Sequence, residues 1–191
     1  MKYFLAASLA LLSSSALAAG LSSRPAGDYN QDRVGNLEGF FAGVGAGGQL
    51  MIFAGNNAFG YDAEVRVGYS FSAPLQLYLS GALDGATFSS GGLSTSFKAE
   101  QIAIFLQYHL LVRPAVMIYA RGGIGVGLSG DYVPGSTAAG LAEAGGLGVE
   151  IRLTPGLYLV PELFYRGANL SAQGSSDSYQ SIGIQLGIVY Y

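Results

Sequence analysis

The chain has 191 residues, of which half are hydrophobic and 11% are charged, and its formal net charge is −3. Because it contains no cysteine, disulfides and thiolate metal sites are excluded. Nine basic residues against twelve acidic ones make no basic field, which excludes nucleic acid as a partner. The mean hydropathy of +0.38 is high for a water-soluble domain and indicates a solvent other than water.

The N-terminus has the order of segments found in a secretory signal peptide. An apolar run from Leu5 to Leu12 follows Lys2, and Ala16-Leu17-Ala18 matches a signal-peptidase site. The run is too short to cross a bilayer, since a membrane-spanning helix needs about 20 apolar residues. We therefore expect residues 1–18 to be removed by cleavage after Ala18. No later stretch reaches that length, so we expect no membrane-spanning helix in the mature chain.

From Glu38 to Tyr191, eight segments show alternating apolar and polar residues between clusters of glycine, serine, asparagine and proline. Thirty glycines argue against helices, and the period of two predicts β-strands. The predicted strands are Glu38 to Gln49, Phe59 to Phe71, Leu75 to Thr87, Phe97 to Val112, Ala115 to Leu128, Ala139 to Leu153, Leu157 to Ala168 and Tyr179 to Tyr191.

The connections between the predicted strands alternate in length. The tight ones are Ser72-Ala73-Pro74, Arg113-Pro114 and Thr154-Pro155-Gly156, and the longer ones are around Gly55-Asn56-Asn57, Ser89 to Ser96, Gly130 to Thr137 and Asn169 to Ser178. An even number of strands with short turns at one end and longer loops at the other is typical of an outer-membrane barrel with both termini in the periplasm. Residues 19–37, which are polar and without periodicity, are then expected to form a periplasmic tail.

Each predicted strand has one apolar face and one polar face. In the second strand Tyr61, Val65 and Val67 share one parity, and Asp62, Glu64 and Arg66 share the other. A soluble sandwich or a lipocalin-like barrel would also alternate, with the apolar set inward. Here the ionisable set is sparse and glycine-rich and the apolar set is large, which favours a narrow polar lumen inside a lipid-facing wall. The residues expected in aromatic girdles are Tyr61, Tyr69, Phe71, Tyr108, Tyr158, Tyr165, Tyr190 and Tyr191.

On these features the chain from Glu38 to Tyr191 resembles the small eight-stranded outer-membrane barrels of the OmpA/OmpX type. The resemblance implies an all-β fold, an eight-stranded antiparallel up-and-down transmembrane β-barrel, present as a monomer in the bacterial outer membrane. It implies contact with outer-membrane lipid and lipopolysaccharide, and with the barrel assembly machinery through the C-terminal strand. Tyr191 is out of phase with the apolar set that ends at Tyr190, so either Tyr190 takes the terminal role or a bulge shifts the register.

Charged residues on the inward face form the candidate site. Ions inside a narrow barrel must pair, because an isolated buried charge costs several kcal/mol. We predict a structural luminal charge network; the alternative is an openable constriction in a narrow passive channel for small solutes. Rows of glycine remove side-chain volume from the inward face, so the sequence is compatible both with a filled lumen and with a water-filled cavity. Phe105, Tyr119 and Phe164 are the side chains that would refill the space. The network residues are Glu64, Arg66, Arg121, Glu150, Glu162 and Arg166, and the rows are Gly43, Gly45, Gly47 and Gly123, Gly125, Gly127.

The remaining hypothesis is a lipid A-modifying enzyme, which would need histidine, serine and an acid near the external leaflet. The single histidine, His109, falls at the periplasmic end of its strand, and no serine lies two residues away. We predict no catalytic residue, no cofactor and no metal site. The external loops are nearly uncharged, and Phe88, Tyr132 and Val133 are their candidate contacts to another surface. The predicted function is thus non-enzymatic, with a mostly plugged lumen and a structural or surface-interaction role.

Overall fold

The computed structural model describes residues 37–72, 74–90, 93–133, 136–172 and 174–191. Every strand is antiparallel to its neighbours in sequence, and the first also pairs with the last, so the sheet closes into a barrel. This confirms the predicted all-β fold of eight antiparallel up-and-down strands. The strands are β1 (Gly39–Phe53), β2 (Asn56–Ser72), β3 (Leu75–Ser90), β4 (Leu93–Val112), β5 (Val116–Val133), β6 (Ser136–Thr154), β7 (Leu157–Ala172) and β8 (Ser175–Tyr190).

The predicted signal peptide, residues 1–18, lies outside the described residues, as does the predicted tail apart from Leu37. Leu37 is buried, 4% exposed, and packs in an apolar cluster with Phe41 and Tyr78 at the beginning of the barrel. In the described part of the chain, no helix is long and apolar enough to cross a membrane.

The position of the chain termini distinguishes the two ends of the barrel. We call the end that holds Gly39 and Tyr190 the terminal end, and the opposite one the distal end. At the terminal end the strands begin and end within one residue of the predicted positions. At the distal end every strand runs three to five residues further than predicted, so that β1 ends at Phe53 and β4 begins at Leu93. The prediction of long distal connections is therefore wrong, because each of these connections has only two residues.

Hydroxyl side chains explain why the distal strand ends were mistaken for loops. Sequences rich in serine, threonine and glycine are typical of turns, but here the ladder continues through them. Cross-strand hydroxyl contacts accompany it: Thr87 Oγ1 to Ser96 Oγ at 3.4 Å and Ser89 Oγ to Ser94 Oγ at 3.1 Å. As a result Phe88 lies in β3 and both Tyr132 and Val133 lie in β5, so none of the three candidate contact residues is in a loop.

The outer face of the barrel carries an apolar belt bounded by aromatic side chains. Tyr61 and Phe71 lie ten residues apart on the outer face of β2 and are 48% and 54% exposed. At a strand rise of about 3.3 Å and a tilt of about 40°, this separation corresponds to about 25 Å of height. That is the height of the apolar band on outer-membrane barrels. The exposed aliphatic side chains on this belt include Val44, Val67, Leu77, Ile104, Ile124, Leu147, Leu163 and Ile184.

Two of the tyrosines predicted for the aromatic girdles face the lumen instead. Tyr158 is 4% exposed, and the hydroxyl of Tyr191 bonds to a luminal glutamate. Strand β8 shows no register shift against either of its neighbours, so no bulge brings Tyr191 outward. The outward position at the end of β8 belongs to Tyr190, which is 54% exposed.

The inner face has three layers from the terminal end to the distal end. The first is mainly aromatic and aliphatic, and includes Phe41, Phe105, Tyr119 and Tyr158. The middle layer contains ionised side chains. The distal layer is apolar and rich in small residues, which departs from the polar lumen that the sequence predicted. Its buried members are Met51, Ala86, Phe97, Ala99, Ala138, Ala142, Ala168, Leu170 and Tyr179.

Inward glycines make room for large side chains from neighbouring strands. A Cβ at Gly123 would lie 2.8 Å from the ring of Phe105, and one at Gly183 would lie 2.7 Å from the ring of Phe164. Tyr119 covers Gly148 in the same way. The three aromatic residues named from the sequence thus fill glycine spaces, but only Phe105 does so along one of the two predicted rows.

Two adjacent glycines on β5 allow a matched test of this packing. We expect Gly123→Ala to lower the free energy of unfolding by about 1–3 kcal/mol, because the new methyl group overpacks against Phe105. Gly122→Ala should change it by less than about 1 kcal/mol, because no atom lies within 4 Å of its Cβ position. Urea titrations of the folded barrel in detergent would measure both. Equal effects of the two substitutions would contradict the packing described here.

Candidate functional site

Seven ionisable side chains converge in the middle of the lumen. They project from the inward positions of β2, β3, β5 and β7, and each is 7% exposed or less. Five of the six network residues named from the sequence are among them. We call this set the charged layer, and it comprises Asp62, Glu64, Arg66, Asp84, Arg121, Glu162 and Arg166.

Glu64 and Arg121 form the central pair of the charged layer. Arg121 donates from Nη1 to Glu64 Oε1 at 2.6 Å and from Nη2 to Glu64 Oε2 at 2.8 Å. This is the bidentate arrangement that makes arginine–carboxylate pairs strong. Nη1 also donates to the Tyr78 hydroxyl at 2.9 Å, and the guanidinium carbon lies 4.7 Å from the centre of the Phe105 ring. A second ion pair joins Arg121 to Glu162.

Arg166 connects Glu64 to the two aspartates. It donates to Glu64 Oε2 and to Asp84 Oδ1, both at 2.8 Å, and its Nη1 lies 3.5 Å from Asp62 Oδ2. Asp62 and Asp84 are directly opposite each other on β2 and β3, so without Arg166 the two carboxylates would repel. The guanidinium stacks over Phe164, with 4.2 Å between its carbon and the ring centre.

Arg66 and Glu162 complete the layer. Arg66 Nη1 lies 3.6 Å from Glu162 Oε2, and the same glutamate accepts a hydrogen bond from the Tyr119 hydroxyl. Because Glu162 also pairs with Arg121, all seven side chains belong to one continuous network. A buried charge costs little free energy only when it is paired in this way, and here each arginine contacts at least one carboxylate.

Glu150, the sixth residue predicted for the network, lies in a separate cluster at the terminal end. It accepts hydrogen bonds from Gln107 Nε2 at 3.0 Å and from the Tyr191 hydroxyl at 2.9 Å. His109 Nε2 lies 3.2 Å from its other oxygen, and Gln76 donates to the Tyr191 hydroxyl at 2.8 Å. The carboxylate thus has neutral donors and a histidine around it in place of an arginine.

The surroundings of His109 offer no constellation for acyl-transfer or hydrolytic chemistry. The ring is buried, since His109 is 3% exposed, and its contacts include Glu150, Gln107 and the Tyr119 ring, which is in a T-shaped arrangement with it. A serine-histidine-acid site needs a nucleophile within hydrogen-bond reach of the imidazole. In the described ranges, the hydrogen bonds of His109 include no serine or threonine, and no group of three or more acids or histidines is placed to hold a metal ion.

Neutral side chains that hydrogen-bond to the charged layer are the part of the site that the sequence did not assign. Gln185 donates to Glu64 at 3.0 Å and Ser80 donates to it at 2.9 Å, while Tyr78 and Tyr119 each bond to a member of the charged layer. All four share the inward parity of their strands, which is a signal available in the sequence. Parity does not show which inward residues meet, because that depends on the stagger of the whole barrel.

The structure has the fold of the small eight-stranded outer-membrane β-barrels, which is the fold that the resemblance implied. Neisserial surface protein A has a similar structure, with a TM-score of 0.65, 16% identity, and coverage of 79% of this chain and 96% of that protein. The structure of outer membrane protein AlkL in DMPC lipid bilayers has a TM-score of 0.53 and 16% identity, with coverage of 88% of this chain and 95% of that protein. OprG from Pseudomonas aeruginosa has a TM-score of 0.53 and 14% identity, with coverage of 83% of this chain and 98% of that protein. These identities establish the fold alone. No protein-family model matches the sequence, and a search of curated proteins finds no relative.

The central pair is tested by Arg121→Ala, with Arg113→Ala as the matched control. Removing Arg121 leaves Glu64 and Glu162 buried without their shortest contacts, so we expect a loss of about 3–5 kcal/mol in the free energy of unfolding. Arg113 is exposed in the connection between β4 and β5, and its removal should cost no more than about 0.5 kcal/mol. Far-UV circular dichroism can follow unfolding, since the chain has no tryptophan. A loss below 1 kcal/mol for Arg121→Ala would mean that the charged layer does not stabilise the barrel.

The luminal role of the last residue is tested by Tyr191→Phe against Tyr190→Phe. Loss of the Tyr191 hydroxyl removes one donor from Glu150 and should lower the free energy of unfolding by about 1–3 kcal/mol. Tyr190 is on the outer face, so its hydroxyl should contribute little. The same unfolding assay compares them, and an equal or larger effect at Tyr190 would contradict the inward placement of Tyr191.

Proposed function

We propose that this chain is a non-enzymatic protein of the bacterial outer membrane, whose lumen is mostly closed by its own side chains and whose role is structural or in contact with other surfaces. The observation that carries the proposal is the charged layer. Its seven side chains come from four strands, are 7% exposed or less, and form one network across the barrel. A solute could pass only by breaking several buried ion pairs at once.

The membrane location is supported by the outer face and by the fold. The apolar belt is about 25 Å high by its position on β2, which suits the hydrocarbon core of an outer membrane. Two solved structures with the same fold are of outer-membrane proteins. In this proposal the terminal end, where β1 begins and β8 ends, faces the periplasm, and the distal end faces outward. Cleavage of the signal peptide after Ala18 belongs to the same proposal.

The layers on either side of the charged layer support a closed lumen. On the distal side, the rings of Phe53 and Phe97 stack with 4.2 Å between their centres, above a lining of alanine, methionine and leucine. On the terminal side, Tyr78 stacks on Phe105 at 5.2 Å and Tyr191 bonds to Glu150. Ions entering from either end would therefore meet apolar or already bonded side chains before they reached the centre.

A surface-interaction role is supported by the distal end. A cavity of about 650 Å³ lies between the β1–β2 and β3–β4 hairpins, and Phe53, Phe88 and Phe97 are among the residues that line it. Phe88 was one of the three contact residues predicted from the sequence, and with Tyr132 and Val133 it remains a candidate here. In this proposal the protein is a monomer, and its partners are outer-membrane lipid, lipopolysaccharide and the barrel assembly machinery. The assembly machinery would contact β8.

Location is tested by fractionating cells that make the protein and by running it on a gel with and without boiling. A closed barrel without a free edge resists detergent until it is heated, so we expect a heat-dependent mobility shift in the outer-membrane fraction. A soluble periplasmic protein without a shift would overturn the membrane location.

Closure of the lumen is tested by planar-bilayer recording of the purified barrel. We expect no reproducible single-channel steps from the wild-type protein. Reproducible steps that Arg121→Ala alters or abolishes would overturn the closed lumen in favour of a narrow passive channel. Modified lipid A that appears on expression and disappears with His109→Ala would overturn the non-enzymatic role.

A further inference from the structure

The outer wall at the distal edge of the apolar belt has a depression that the proposed function does not use. It has a volume of about 160 Å³ and lies across β2, β3 and β4. Phe59 and Tyr61 form one side, and Thr87, Ser96 and Lys98 form the other. The Tyr61 ring lies over Gly85, which has no side chain. A Cβ at Gly85 would be 2.5 Å from Tyr61 Cζ, so only glycine leaves room for the ring in this position.

Lys98 gives this depression a positive charge. Three of the arginines in the described ranges are in the charged layer, and Arg113 and Arg152 lie at the terminal end. Lys98 is thus the only lysine or arginine of the described residues on the distal outer wall. Its side chain is exposed and is in no ion pair with a described residue.

The polar groups around Lys98 are arranged on the side away from the membrane. Thr87 is directly opposite Ser96, and Gly85 is opposite Lys98, so Thr87 and Ser96 both lie two residues further toward the distal end than Lys98 and Gly85. The hydroxyls are 3.4 Å apart and exposed. Glu100 lies one step toward the belt on the same outer face, and its carboxylate would repel an anion there. An anion near Lys98 is therefore directed to the distal side, beside Thr87 and Ser96.

The apolar neighbours show what else the ligand must carry. Phe59 is 86% exposed and Tyr61 48% exposed, and the wall below them presents aliphatic side chains such as Ile102. Aromatic rings at the edge of an apolar belt lie at the level of lipid headgroups. A ligand that fits both parts has a phosphate at this level and acyl chains that follow the outer wall downward.

We propose that Lys98, Thr87 and Ser96 bind the phosphate of an anionic lipid in the outer leaflet, with its acyl chains on Phe59, Tyr61 and the wall below. The proposal rests on the proposed membrane location. It extends the proposed function by assigning one lipid-binding site to named residues. One lysine near a membrane surface contributes roughly a fivefold change in affinity for an anionic lipid.

The test is a titration of the folded barrel in detergent micelles with phosphatidylglycerol, with bound lipid counted by native mass spectrometry. We expect Lys98→Gln to weaken phosphatidylglycerol binding roughly fivefold and Ser96→Ala to weaken it less. Arg113→Gln removes the same charge at the other end and should leave binding unchanged. Phosphatidylcholine, in which a cation neutralises the phosphate, and inorganic phosphate should both bind more weakly than phosphatidylglycerol.

Equal effects of Lys98→Gln and Arg113→Gln, or no preference for phosphatidylglycerol over phosphatidylcholine, would overturn the proposal. Binding of inorganic phosphate as strongly as the lipid would overturn the role of the acyl chains. The heat-dependent mobility shift is measured on every variant. If the wild-type protein shows the mobility shift but no preference for phosphatidylglycerol, only this lipid site is contradicted. If the wild-type protein shows no mobility shift, the membrane location itself is contradicted.

Discussion

Glu64 accepts hydrogen bonds from four side chains that come from four other strands. Its donors are Ser80 on β3, Arg121 on β5, Arg166 on β7 and Gln185 on β8. A single carboxylate on β2 therefore links five of the eight strands across the lumen, in addition to the ladder that joins each strand to its neighbours. Removing the carboxylate from water is expensive, and the cost is offset only if all these donors arrive together. The charged layer thus depends on the closed, staggered arrangement of the whole barrel.

The inward aromatic and glycine residues follow from this requirement. A guanidinium group is attracted to the face of an aromatic ring, and Phe105 and Phe164 supply such faces for Arg121 and Arg166. Each ring in turn needs a neighbouring position without a Cβ, which Gly123 and Gly183 provide. Each of these arginines therefore packs on an aromatic ring, and each ring packs over a glycine.

The sequence predicts the parts of this structure that depend on strand periodicity. Parity alone places Glu64, Arg66, Arg121, Glu162 and Arg166 inside, and the terminal strand ends come within one residue because proline and arginine mark the turns. It fails where a residue type is compatible with two structures. Serines and glycines near Ser89 are typical of loops, but paired across a hairpin they continue the strands. Contacts such as that between His109 and Glu150 depend on the stagger of strands distant in the sequence, which no local pattern contains.

The last two residues show how strongly the surroundings decide the role of a side chain. Tyr190 and Tyr191 have the same chemistry and are adjacent, but Tyr190 faces outward at the end of β8, and Tyr191, one residue beyond the strand, faces the lumen. Tyr190 is exposed on the apolar belt, where the ring of an amphipathic residue is stable at the edge of a bilayer. Tyr191 has its hydroxyl between Gln76 and Glu150, where it satisfies a buried carboxylate that has no arginine. A count of aromatic residues near strand ends therefore overestimates the girdle, and only the parity of each residue relative to the register separates the two roles.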